Sequence, residues 1–294
     1  MRRFLALLML FFPVALAFSD SAAAQADALH DRGMYAEAKT LVLSAVPSAP
    51  DGEAQAELYW RAARETLELG DIAEQDKKPQ AEILAVFSEG EGYADKAIAA
   101  DPRNDLGYYW KSSNIGRWGQ VKGILNSLFK AGPMKDLLVK DLSLNPDRTD
   151  AYYVLGQLYR ELPGWPASFG NIDAAVSLGR KAVDLRQSQF AAGTAKELVY
   201  NFVTELAKTL WKRNWTSERR KAGQPAKAAK LAAASTPLDK GSFYEGSVAL
   251  KDMSDREEAR ALVQSVITEI AKLPSLTAAE MKDLEKARAV LRGW

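Results

Sequence analysis

Cysteine is absent from the 294 residues. That excludes disulfides, thiolate zinc sites, iron–sulfur clusters and cysteine nucleophiles. Histidine occurs once, at His30, which removes histidine-rich metal sites and most histidine general-base machinery. Charge of one sign is missing too: 39 basic and 38 acidic side chains leave a net +1, so no global field points to nucleic acid. Glycine-rich phosphate loops are absent, and Gly90-x-Gly92 has Asp95 where a dinucleotide loop needs its third glycine. Ser127-x-x-Lys130 has acylase spacing but lacks the partner motifs. With no catalytic constellation in the chain, the expectation is a protein that is not an enzyme and carries no metal and no cofactor. What is present, 47% apolar and 26% charged residues, is enough to bury a core and too apolar for disorder.

The N-terminus reads as an export address. Arg2 and Arg3 precede an apolar run over 4–18, and a small-residue stretch follows at 21–26. Positive start, short apolar run and Ala-x-Ala exit describe a cleaved signal peptide over 1–26. The run contains Pro13 and is shorter than the roughly 20 residues a spanning helix needs. The expectation is a periplasmic protein of zero formal charge after cleavage, the alternative an N-terminal membrane anchor.

The rest reads as helix after helix, with apolar residues at 3.6-residue spacing. Proline breaks recur at Ala49-Pro50-Asp51, Asp101-Pro102-Arg103 and Asn145-Pro146-Asp147, each stopping a helix because the residue before proline is pushed out of the α region. Tyr152-x2-Leu155-Gly156-x2-Tyr159 matches the first-helix signature of the tetratricopeptide repeat, with Ala175 and Ala182 as the small residues of the second helix. Gly33-x-Tyr35-x2-Ala38 and Ala97-x4-Pro102 carry further parts of it. The fold expected is all-α: a tetratricopeptide-like helical-hairpin solenoid with inter-helix insertions and a C-terminal capping helix pair. The proline breaks lie 52 and 44 residues apart rather than about 34, which places insertions at 71–90, 120–132 and 163–171. Repeats are expected over 27–187, and degenerate repeats with capping helices over 188–294. Long helices are expected at 194–214, 217–234, 254–272 and 277–292, the last two opened by the capping boxes Ser254-x-x-Glu257 and Thr277-x-x-Glu280.

Tyr108-Tyr109-Trp110-Lys111, Gly116-Arg117-Trp118-Gly119, Gly132-Pro133-Met134-Lys135, Leu162-Pro163-Gly164-Trp165-Pro166 and Ser168-Phe169-Gly170-Asn171 follow in order. Over about 90–186 this string resembles the periplasmic T component of TRAP transporters. It is also similar to bacterial relatives of the regulator-of-microtubule-dynamics repeat proteins. The resemblance implies a periplasmic repeat scaffold that associates with a transporter's solute-binding subunit, in some cases as a homo-oligomer with a central pore.

Solenoids bind on the concave side of their first helices. Tyr153, Gln157 and Arg160 step by four and three along one helix face. Together with Tyr109, Arg117 and Trp118 they are expected to line a groove, with Trp165 near its rim. Tyrosine supplies a flat apolar face with a polar tip, and arginine grips carboxylate in a fork. The expected ligands are a partner protein or a small hydrophobic or carboxylate compound, not nucleic acid. Trp165 itself is expected to be buried against its helix pair, with a projecting knob as the alternative. Eight cations between residues 208 and 230, interleaved with Trp211 and Trp215, read as a solvated helix face or as a peripheral membrane contact. That contact supports the competing function, an envelope assembly or structural adaptor held near the membrane.

Overall fold

The computed structural model describes residues 12–123 and 125–294, and side chains from residue 21 onward. Among these residues every regular element is helical: thirteen α-helices and three 3-10 turns. The chain divides into two compact units, Met1–Leu144 and Asn145–Trp294.

The first unit holds α1 (Phe12–His30), α2 (Tyr35–Ala45), α3 (Gly52–Gln75), α4 (Gln80–Ala100), α5 (Asp105–Lys122) and α6 (Leu128–Leu144). Each helix packs on the next, and α1 reaches α3 as α3 reaches α5. That pattern of neighbour and next-neighbour contact is what a stacked helical repeat requires. The proline breaks fall between elements as the sequence dictates, and the new helices start on side-chain caps. Asp51 accepts from the Ala54 N–H at 2.9 Å and Asn104 from the Gly107 N–H at 3.1 Å.

Close approach is purchased with small residues. A Cβ on Gly70 would lie 2.4 Å from the Phe87 ring, and one on Gly90 would lie 2.1 Å from Asn114 Oδ1. Asn114, fully buried, donates from Nδ2 to the carbonyls of Ala63 and Trp110 and so ties α5 to α3. The extra residues expected between 71 and 90 are present, but not as a separate loop. The segment lengthens α3 and α4 themselves, because no proline or glycine pair interrupts it before the short turn ending at Pro79. A turn does follow α5, where Gly123 takes φ +93°, and a 3-10 turn covers Leu125–Ser127.

Residues 1–11 of the expected export segment lie outside the described residues. At its other end Ala22 and Ala26 are buried with Val42, Ala45 and Leu58. Asp27, directly after it, bridges Arg61 at 2.9 Å and Arg64 at 2.8 Å.

The second unit holds α7 (Thr149–Glu161), α8 (Ile172–Ala191), α9 (Tyr200–Arg213), α10 (Ser217–Ala233), the short α11 (Pro237–Ser242), a 3-10 turn at Tyr244–Ser247, α12 (Asp255–Ala271) and α13 (Ala278–Arg292). Both expected capping boxes form, at Ser254 with Glu257 and at Thr277 with Glu280. The terminal pair α12 and α13 packs on α9. The insertion expected at 163–171 is a true loop with a cis Trp165–Pro166 bond.

One repeat signature emerges only in three dimensions. Tyr108 OH donates to the Pro102 carbonyl at 3.1 Å, and Tyr152 OH donates to the Pro146 carbonyl at 3.0 Å. In both places the tyrosine six residues after the break clamps the loop that precedes its own helix.

Candidate functional site

In the first unit α4, α5 and α6 enclose an open cleft of about 320 Å³. Helix α5 supplies Tyr108, Lys111 and Ile115 at spacings of three and four, and α6 supplies Pro133, Asp136, Leu137 and Lys140. Each set is one helix face. Glu91 closes the cleft from α4. The floor is aliphatic, through Ile115, Pro133 and Leu137, and the rim is charged.

The charges are held in place by their neighbours. Lys111 pairs with Asp95 at 2.6 Å, Glu91 with Lys130 at 2.8 Å, and the Lys140 ammonium sits 5.9 Å from the Tyr108 ring centre. The Tyr108 hydroxyl is occupied by Pro102. The rim thus presents fixed charges above an apolar floor. An apolar strip between cations and carboxylates suits an amphipathic segment that carries charge at its ends.

The groove residues expected from sequence fall in both units. In the first, Tyr109 stacks edge-on against Trp110, and Arg117 bridges Asp71 and Glu74 at 2.6 and 2.5 Å. Trp118 packs beside Leu67, Ile83 and Phe87 and meets Phe129 edge-on. None of the three lines the cleft, whose α5 face is set one residue earlier, at Tyr108.

In the second unit the face of α7 that carries Tyr153, Gln157 and Arg160 is turned onto α9, not toward a ligand. Tyr153 stacks on Phe202 at 4.3 Å, and its oxygen accepts from Asn201 Nδ2 at 2.7 Å. Burial, then the Glu205 charge, raises the Tyr153 hydroxyl pKa, and Gln157 hydrogen-bonds to it. Arg160 is 6% exposed and pairs with Glu205 at 2.7 Å while donating to the Glu205 carbonyl and Thr209. Burial alone would raise the Glu205 carboxyl, but Arg160 and then Lys286 overcome it and hold the pKa at about 2. Trp165 corrects its expectation as well, for it projects at 89% exposure. From the same loop it is Phe169 that packs edge-on against Tyr159.

The cationic stretch at 208–230 is divided: Lys212, Arg219, Lys221 and Lys230 are exposed as a solvated face would have them, whereas Arg213, Arg220 and Lys227 are buried. Arg213 is fully buried and forks onto Asp255 at 2.7 and 2.8 Å and onto Glu245 at 2.6 and 2.9 Å. Lys227 reaches Asp173 and Glu245 at 2.5 Å each, Arg180 takes Glu245 and Glu258, and Arg220 joins Asp255 and Glu258. Four cations and four carboxylates thus balance inside α8, α9, α10, α12 and the 3-10 turn. Burial pushes the Glu245 carboxyl up, yet Arg213, Arg180 and Lys227 hold it far below the usual range. Trp215 stacks over the group, 4.4 Å from the Arg213 guanidinium. Sequence reasoning missed this network because the partners lie 18 to 78 residues apart.

His30, the single histidine, donates from Nδ1 to the buried Glu65 carboxylate at 2.8 Å. Among the described residues no cluster of histidine or acidic side chains is arranged to hold a metal ion. No described helix is long and apolar enough to cross a membrane.

Residues 22–164 match the family model of Regulator of microtubule dynamics protein 1-3. The chain is 28% identical over 133 residues to Regulator of microtubule dynamics protein 1 of Mus musculus. That alignment covers 45% of this chain and 41% of the mouse protein, so the chain spans less than half of that relative's length. The matched stretch includes the whole of the cleft and the helix that carries the tetratricopeptide signature. Over residues 22–164 the chain is therefore similar to the regulator-of-microtubule-dynamics repeat proteins.

Proposed function

We propose that this protein is a non-enzymatic helical-repeat scaffold that works in the periplasm. Its α4–α5–α6 cleft receives a segment of a partner protein or a small amphipathic ligand. The observation that carries this reading is the cleft's make-up: an aliphatic floor from two helix faces, bounded by Lys111 and Lys140 on one side of the charge balance and Glu91 and Asp136 on the other. Such a site grips a chain with both apolar and charged groups and has no group poised to attack one. The resemblance to the TRAP T component gives the partner a chemical identity, the solute-binding subunit of a transporter.

The test is photo-crosslinking from position 140 in cells, with position 251 in the second unit as control. A periplasmic adduct containing a solute-binding subunit, formed from 140 and not from 251, is the expected result. Recovery of the chain only from cytoplasm with residues 1–26 intact, or equal labelling from both positions, overturns the reading. The mouse relative's name supplies a second one, a regulator acting on a cytoskeletal polymer, and co-sedimentation of the purified chain with microtubules distinguishes the two.

A further inference from the structure

The turn between α5 and α6 displays two large apolar side chains to solvent, Leu125 at 79% and Phe129 at 69% exposure. A turn that was merely slack would not hold them there. This one is fastened: Ser127 Oγ donates toward the carbonyls of Gly119 and Gly123, the Asn126 N–H donates to Gly123, and Asn126 Nδ2 donates to Lys122. Phe129 is further braced against Trp118, over which Lys130 lies 4.8 Å from the ring centre.

Along the sequence the turn is flanked by basic residues, of which Lys111, Arg117 and Lys130 are paired with acids of neighbouring helices. From Leu106 to Lys135 the sequence contains no aspartate or glutamate and five lysines or arginines. Lys122, at the base of the turn, is exposed. The α3–α4 turn lies alongside, because Gln80 Nε2 donates to the Val121 carbonyl at 2.8 Å. That turn adds exposed Lys77 and Lys78, against Asp76.

We propose that this tip docks on an anionic lipid surface, with Leu125 and Phe129 entering the interface and Lys77, Lys78 and Lys122 facing the lipid phosphates. Two side chains on a narrow turn fall far short of the roughly 1,200 Å² that a stable protein–protein interface buries. A bilayer has no such threshold. Partition grows with each apolar side chain inserted and each lysine brought near an anionic leaflet, the latter worth about fivefold per residue. The proposal is independent of the cleft and of the identity of its ligand.

The absence of cysteine allows a clean experiment on the full chain. Leu125→Cys is labelled with an environment-sensitive fluorophore, with Ser143→Cys at the other end of α6 as the control. The probes are vesicles of phosphatidylcholine alone and of phosphatidylcholine with phosphatidylglycerol. The expected result is a blue shift and intensity gain at 125 with anionic vesicles, a much smaller one with neutral vesicles, and none at 143. In co-sedimentation, Phe129→Ser should lower vesicle affinity by about tenfold, and Lys122→Glu should lower it further at low salt. No response at 125, or an equal response at 143, overturns the proposal. A shift at 125 that rises with protein concentration in the absence of vesicles would assign the tip to contact between protein copies and likewise overturn it.

Discussion

Arg213→Met is the most informative single change in the second unit. The guanidinium is fully buried and supplies five charged contacts, to Asp173, Glu245 and Asp255. Methionine keeps the apolar stem and removes only the charge and donors. What remains is three cations for four carboxylates. Glu245 keeps Arg180 and Lys227 and Asp255 keeps Arg220, but one negative charge is left uncompensated away from water. Removing one partner of a buried ion pair costs about 3–5 kcal/mol, mostly the penalty of the charge left behind. For a unit of this size, each kcal/mol lowers the melting temperature by about 2–4 °C, so a fall of roughly 6–20 °C is expected. Thermal unfolding by circular dichroism measures it, and peptide-level hydrogen exchange should place the loosening in α9, α10 and α12. Adding Asp255→Leu to Arg213→Met should recover part of the loss, since it removes a stranded charge. Arg219→Met, an exposed cation on the same stretch, should change stability by no more than about 0.5 kcal/mol. If Arg213→Met costs no more than Arg219→Met, the network contributes nothing and the reasoning fails.

Two further outcomes follow from the same unit. Tyr153→Ala should destabilise by about 3–5 kcal/mol as a large-to-small packing change, whereas Trp165→Ala should leave the urea midpoint within about 0.5 kcal/mol of the parent; the reverse order would restore an open α7 face. Acid should also weaken the fold. Glu205, held at about 2 against an ordinary 4.5, and Glu245, held lower still, contribute stability that is complete above pH 4.5 and is lost as the pH falls toward 2. Asp184 and Asp283, raised by burial, pull the other way. Equal urea midpoints at pH 6 and pH 3 would show that the depressed carboxylates carry no net weight.

How much of this was legible beforehand depends on the distance over which each feature is encoded. Proline breaks, caps and capping boxes are local, so Asn145-Pro146-Asp147, Ser254 and Thr277 could be read directly. The all-helical repeat fold followed from them. Helix phase was harder. Tyr152 and Tyr153 are both tyrosines followed by apolar residues, and periodicity alone could not say that α9 would cover the Tyr153 face as well as the Tyr152 face being buried elsewhere. Arg160 looked like a ligand for carboxylate, and it is one; the carboxylate is Glu205 of the same chain. The cleft was missed for a similar reason. Its residues are ordinary ones, and only the pairing of α5 with α6 brings Ile115 toward Leu137.

The buried ion network also has a kinetic side. Its members sit on four helices and a 3-10 turn, with separations reaching 78 residues, so no early, locally formed hairpin can satisfy more than a fraction of it. Those charges stay hydrated until α8, α9, α10 and α12 are all in place, because leaving water before the partners arrive is expensive. The network is therefore expected to mature after the main barrier to folding, which requires Arg213→Met to raise the unfolding rate and leave the refolding rate unchanged. Interactions absent from the transition state leave the folding rate alone and slow unfolding. The eight charged groups act as a late-closing clasp, setting how long the second unit stays shut once formed more than how fast it forms.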